Sequence, residues 1–159
     1  EMISELLRYQ LYGGNQKVSI LQEIDYLKTY IALRKLRMSE RLRLRVEFPP
    51  ELNELNIYPL LFLPLVENAF KYVGGDYQLD IIMKWENNRI SLFIRNSIPE
   101  LSAEDEALRK SVDERQRKGI GLVNLRRRLS LLYPNKHRLE TRKEETEFVA
   151  ELMIEIEDI

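Results

Sequence analysis

The order of patterns along these 159 residues predicts an α+β fold: a two-layer α/β sandwich, with a mixed sheet and helices on one of its faces. Three observations predict it. Helical-period stretches near 19–42, 59–72 and 121–132 are interleaved with alternating apolar–polar stretches. Two alternating runs, Leu79–Trp85 and Arg89–Arg95, flank a short polar turn and read as a hairpin. A further pair of alternating runs closes the chain and would complete the sheet.

Each element has a local cause. Residues 2–12 read as the end of a helix closed by Gly13-Gly14-Asn15. Ser19 with Gln22 forms a capping-box pattern opening a long helix to about Leu42. Leu44, Val46 and Phe48 alternate as a strand that Pro49-Pro50 stops. Apolar residues at 61, 62, 65, 66, 69 and 70 recur at the helical period. Pro59 or Pro64 can occupy that helix's first turn, where a missing N–H does little harm; a start at Pro59 would make Pro64 a kink. Gly74-Gly75 ends it. Glu86-Asn87-Asn88 forms the hairpin turn. Residues 97–118 are polar, charged and without strong periodicity, as expected of a lid, with a short helix near Ala103 to Lys110. A helix from about Gly121 to Leu132 stops at Pro134-Asn135. Strands near Arg138–Arg142 and Glu147–Ile156 turn at Glu144-Glu145.

Composition bounds the function. The length suits one domain with a substantial core. Lys and Arg number 25 against 26 for Asp and Glu, a balance that argues against nucleic acid as the main ligand. The chain has no cysteine, which excludes disulfides and thiolate metal sites and fits a reducing setting. The most apolar run, Tyr58 to Val66, is too short and too proline-broken to span a bilayer. No secretion signal opens the sequence. It starts within a helical pattern and without an initiator Met, so a piece of a longer protein is expected.

Two segments carry the chemistry. On one helix, Glu67, Asn68 and Lys71 fall within a single turn, which sets oxygen donors beside a cation. Magnesium takes oxygen ligands and water, and phosphate oxygens complete its shell. Asn68 is therefore the expected metal ligand and Lys71 the expected phosphate partner. The plainer reading of Glu67 and Lys71 is a solvated ion pair, but polar groups among such apolar neighbours are costly without partners. The second segment is Gly119-Ile120-Gly121-Leu122 at a helix start, where exposed N–H groups suit an anion. A glycine-rich cap would explain this segment equally well. It is not the Rossmann fingerprint, and the chain has no GxxxxGK[ST] loop.

Together these residues resemble a known family. The chain is similar to the catalytic, ATP-binding part of LytS-like bacterial sensor histidine kinases, within the gyrase/Hsp90/histidine-kinase/MutL superfamily. Leu7-Arg8-Tyr9, Glu23 through Tyr30, and Arg37 carry part of the match. "PLVENAFKY" at 64–72 resembles the N box, and "KGIGLVNLRRRLSLLYP" at 118–134 the G2 box with its helix. The resemblance implies a Bergerat-type fold binding ATP and Mg2+. It implies residues 1–17 as the tail of the helical dimerisation and phosphoacceptor region and 18–159 as the ATP-binding catalytic domain. Asn68 would hold Mg2+ and Glu67 would assist catalysis. Lys71, Tyr72, Lys118, Gly119, Ile120, Gly121, Leu122 and Asn124 would surround the nucleotide. The γ-phosphoryl would pass to a histidine on an upstream helix and then to a response regulator aspartate. The implied setting is a homodimeric inner-membrane sensor, with this part cytoplasmic and the anchor in segments outside it.

Two departures stand against the family pattern. Where a DxGxG element is expected, the sequence reads Ile94-Arg95-Asn96-Ser97-Ile98-Pro99, without glycine. Asn96 still offers an oxygen to an adenine amino group, and the Ser97 hydroxyl could assist. No HFxFN phosphoacceptor motif is present, and the one histidine, His137, reads as a surface or turn residue at a strand start. The alternatives are a degenerate scaffold module that regulates a signalling partner, or an ATPase or serine kinase of the same superfamily. Arg126-Arg127-Arg128 could send one or two side chains to phosphates, or could simply form a solvated helix face. Arg115, Arg117 and Lys118 could clamp a γ-phosphate from the lid. Trp85 and Tyr77 read as packing residues.

Overall fold

A computed structural model describes residues 16–50, 52, 55–100 and 120–156. The elements run β1 (Val18–Ser19), α1 (Ile20–Arg37), β2 (Arg43–Glu47), β3 (Asn56–Ile57), α2 (Leu63–Tyr72), β4 (Gln78–Glu86), β5 (Arg89–Ser97), α3 (Ile120–Leu132), β6 (His137–Lys143) and β7 (Glu147–Glu155). The expected helix end at 2–12, the lid beyond residue 100 and its short helix lie outside the described residues.

A five-stranded sheet in the order β2-β4-β5-β7-β6 forms the base, and β1 pairs with β3 separately. β2 runs parallel to β4, and the remaining pairs are antiparallel, so the sheet is mixed as expected. Alternation gives it two unlike faces. Leu79, Ile81 and Met83 on β4, with Ile90, Leu92 and Ile94 on β5, enter one core with residues of all three helices. On the opposite face Arg95 reaches Asp80 at 2.9 Å from Nε, and Glu147 stands 3.5 Å from the same nitrogen. Asp80 is 2% exposed, so it needs that cation.

The hairpin between β4 and β5 turns on Asn87 and Asn88, both at positive φ (53° and 60°). Such a two-residue turn matches strand twist, and asparagine tolerates the left-handed region better than most residues. Glu86, expected in the turn, instead pairs with Arg89 in the ladder.

Ser19 caps α1 as predicted, its hydroxyl accepting from the Leu21 N–H at 3.2 Å. The helix, however, stops at Arg37 rather than near Leu42. Met38 turns extended, and Ser39 starts a tight turn that accepts from Leu42 N through its carbonyl and from Arg41 N through its hydroxyl. Serine's local hydrogen bonding competes with helix continuation. α2 begins at Leu63 with Pro64 in its first turn, so no kink is needed. α3 spans the predicted segment and β6 and β7 the predicted strands. Trp85 packs against the core, whereas the Arg41 guanidinium lies 5.4 Å from the Tyr77 ring centroid.

Candidate nucleotide-binding site

α2 buries Leu63, Leu65, Val66, Ala69 and Phe70. Helical geometry then leaves Glu67 and Lys71 exposed, with Asn68 and Tyr72 half-buried beside them. The predicted polar arc is thus a consequence of which face the helix buries. The plain Glu67–Lys71 pair does not describe it. The Lys71 ammonium lies over its neighbour Tyr72, 5.3 Å from the ring centroid. Glu67 responds instead to α1: partial burial raises its carboxyl above the ordinary value, and the Arg34 cation opposes the rise. Arg34 itself stacks over Phe70 at 5.6 Å, and Tyr30 meets the same ring edge-on at 6.4 Å. The Arg34 Nε is buried without a hydrogen-bond partner. Sequence reading attached Tyr30 to the resemblance but missed Arg34, although its place one turn after Tyr30 on a helix was the available signal.

The end of α2 and the end of β5 are tied together. Gly74 N donates to Ser97 O at 2.9 Å. The Ser97 hydroxyl donates to Gly74 O at 2.6 Å and accepts from Gln78 N at 2.8 Å. Its one proton is thereby committed to backbone, which leaves a single lone pair for any ligand. Any assistance from Ser97 to a base would therefore come through that lone pair. Asn96 is 1% exposed and lies on the helix-covered side of the sheet. Its Nδ2 lies 3.4 Å from Ser97 O, a long contact.

The glycines missing from the expected DxGxG position have counterparts on the other side of this seam. A Cβ at Gly75 would come within 2.7 Å of the Ile98 carbonyl oxygen, and its φ is +61°. One at Gly74 would press on the Pro99 ring at 3.1 Å. The close approach of backbone to backbone is therefore made by Gly74-Gly75 against Ile98-Pro99.

α3 places Gly121 exposed in its first turn, where an added Cβ would meet nothing within 4 Å. Asn124 is exposed, but the Leu122 side chain enters the core at 2% exposure. Helix phase therefore limits Leu122 to its backbone in any ligand contact. Lys118 and Gly119, with Arg115 and Arg117, lie outside the described residues, and Ile120 begins the helix.

The three arginines divide: Arg126 and Arg127 stay on the exposed face, as the solvated reading expects, and Arg128 turns inward. Arg126 donates to Leu139 O at 3.2 Å. Arg128 donates to Pro59 O at 3.0 Å and Leu60 O at 3.3 Å, just ahead of α2. Arg127 alone stays exposed without such a role. Tyr133 completes the anchoring, its hydroxyl accepting from Tyr58 N at 3.0 Å. His137 begins β6 as expected, with Nδ1 2.7 Å from Tyr133 O. The C-terminal half of α3 is therefore fastened beside the start of α2.

Chemically, Asn68 offers a neutral oxygen, Lys71 an exposed cation, and the first turn of α3 backbone donors. Among the described residues, no group of three or more His, Cys, Asp or Glu forms a metal cage. The donor set suits magnesium held jointly with water and phosphate oxygens.

Known proteins resemble this chain in sequence and in fold. A family model described as histidine kinase matches residues 1–42. Sensor protein kinase HptS of Staphylococcus aureus (strain USA300) is 27% identical over 144 residues, covering 87% of this chain and 28% of its own length. The same protein from strain NCTC 8325 / PS 47 matches equally. The chain thus spans 28% of the curated relatives' length. The catalytic domain of histidine kinase ThkA, nucleotide-free, superposes with a TM-score of 0.58 at 17% identity, covering 89% of this chain and 96% of that one. Histidine kinase AdeS of Acinetobacter baumannii superposes at 0.56 with 15% identity, covering 99% and 75%. In sequence and in fold, this chain is similar to the catalytic region of sensor histidine kinases.

Proposed function

We propose that this chain is the ATP-binding catalytic domain of a two-component sensor histidine kinase. In the full protein it would pass the ATP γ-phosphoryl to a histidine on an upstream helical segment, and from there to a response regulator aspartate. The observation that carries the reading is the arrangement of α2 and α3. α2 exposes Glu67, Asn68 and Lys71 while burying everything else on its core side. α3 is fastened at its C-terminal half to the start of α2. With that end of α3 held beside the start of α2, in this reading the glycine-bearing N-terminus of α3 faces the exposed arc of α2. There Asn96 closes the base side.

In this reading Asn68 would help hold magnesium, with water and phosphate oxygens as its other ligands. Lys71 and the first N–H groups of α3 neutralise phosphate charge. Glu67, under the influence of Arg34, assists at the reacting end, and Lys118, Gly119 and Ile120 would contribute to holding the nucleotide. Bound magnesium would supply charge neutralisation at the β- and γ-oxygens. The residues of this chain do the positioning, on which phosphoryl transfer mostly depends. The intact sensor would be a homodimer joined through its upstream helices. No helix among the described residues is long and apolar enough to cross a membrane, and we place this domain on the cytoplasmic side of an anchored sensor.

Calorimetric titration with Mg-ATP or Mg-ADP tests the reading. Saturable heat that requires magnesium is expected, and phosphotransfer should follow in a longer protein carrying the acceptor histidine. No heat at millimolar nucleotide would remove the basis of the proposal.

A further inference from the structure

The start of α2 is held in an unusual way. Phe62 occupies the cap position without a side-chain cap bond, and Leu60, two residues earlier, sits at φ 62°. A leucine adopts that conformation only where its surroundings enforce it. Three side chains from outside α2 enforce it, two of them on the other helices. Glu23, in the first turn of α1, accepts from Leu60 N at 2.9 Å. Arg128 on α3 grips the carbonyls of Pro59 and Leu60. Tyr133, just after α3, accepts from Tyr58 N and meets the Tyr58 ring edge-on at 5.6 Å.

The two charged members belong together. Glu23 is fully buried, at 0% exposure, and a carboxylate that deep requires a cation. Burial draws the Arg128 guanidinium below its ordinary value, and the Glu23 charge opposes that draw. Glu23 from α1 and Arg128 from α3 thus hold the same strained turn, one by the Leu60 N–H and the other by the Pro59 and Leu60 carbonyls. All three helices meet at this point, and α1 lies within the segment that matches the histidine kinase family model.

We propose that Glu23 and Arg128 are positioning residues, a clamp through which α1 fixes the placement of α2 against α3 and so sets the affinity of the site for Mg-ATP. The affinity part rests on the nucleotide-binding reading above; the clamp itself does not. A displacement of α1 in the whole kinase would reach both nucleotide-facing helices through one turn of chain. Local packing alone would not require a charge on one helix to govern another.

The test uses this chain with two conservative substitutions. E23Q keeps the shape and an acceptor oxygen for Leu60 N–H but removes the charge, and R128K keeps the charge but loses the fork. Amide exchange is followed by mass spectrometry without nucleotide, and Mg-ATP affinity by calorimetry well below melting. E23Q should raise exchange in α3, and R128K should raise it in the first turn of α1. The double variant should exceed neither single one. Each single variant should weaken Mg-ATP by about tenfold. Exchange raised only in the substituted helix, additive effects, or melting lowered with affinity unchanged would each overturn the proposal. If the unaltered chain binds no nucleotide while the cross-helix exchange persists, the clamp stands and the ATP reading falls. Should E23Q not fold, R128K carries both readouts alone.

Discussion

α2 is fixed at both ends and left open in the middle, and the difference separates what folds the molecule from what it works with. At its start, a buried carboxylate, a guanidinium and a phenol all spend their hydrogen bonds on three successive backbone residues. At its end, Ser97 and the two glycines lock it to β5 with no room for a methyl group. Between them, Glu67 and Lys71 stand exposed and Asn68 half-exposed. Buried polar groups must find partners within the protein, whereas exposed ones can exchange their contacts for a ligand at small cost. The ends should therefore answer to stability and the middle to nucleotide.

The start should give the largest effect. Arg128→Met strips the Pro59 and Leu60 carbonyls of their charged donor, and losing such hydrogen bonds costs about 3 kcal/mol. In a domain of this size that lowers the melting temperature by roughly 6–12 °C, readable by calorimetry. A melting point within a degree of the parent would mean that the turn does not depend on those bonds. The other end comes next. Gly75→Ala combines a left-handed φ with a 2.7 Å approach to Ile98 O and should cost at least about 2 kcal/mol. Chemical denaturation with an unchanged slope would measure it.

The middle should behave oppositely. Asn68→Asp and Lys71→Met alter exposed or half-exposed positions, so stability should stay within about 0.5 kcal/mol. If the proposed roles hold, Mg-ATP affinity should fall by roughly tenfold or more, since each variant removes a group assigned to the metal or its phosphates. For Asn68→Asp the loss should appear only with magnesium present, which a titration with and without EDTA would separate. Full affinity in both variants would break the contrast between ends and middle.

How far this contrast was legible from sequence depends on the kind of contact. The exposed arc was legible because helical period alone decides that 67, 68 and 71 share a face away from 65, 66, 69 and 70. The strands, the hairpin and the capping Ser19 were legible for the same reason: each depends on neighbours a few residues away. The end of α1 was not, since Ser39's local turn competes with a helical pattern that continues to Leu42. Nor was the start of α2. Nothing local distinguishes Arg128 from Arg126 and Arg127, because its role comes from carbonyls 68 and 69 residues distant. Glu23 did leave a trace: it shares the buried face of α1 with Ile20, Ile24, Leu27 and Ile31. An acid at a core position signals a partner without naming it. The role of Ser97 hid likewise, as the sequence shows a hydroxyl at a strand end but not the glycine carbonyl that takes its proton.

The smallest effect should come from the other described glycine of the site, and it sharpens the contrast most finely. Gly121 has no positive φ, and among the described residues nothing lies within 4 Å of where a side chain would begin. Alanine there meets no obstacle, and in an exposed helical position it should stabilise by up to about 1 kcal/mol through helix propensity. If that space is where phosphate reaches the first N–H groups of α3, the same methyl group should weaken Mg-ATP by several-fold. Gly121→Ala would then be more stable and bind less tightly, the reverse pairing to a structural glycine such as Gly75. A variant that gains stability and binds nucleotide undiminished would show that the helix start is an ordinary cap. The phosphates would then have to be held from Lys71 and the lid instead.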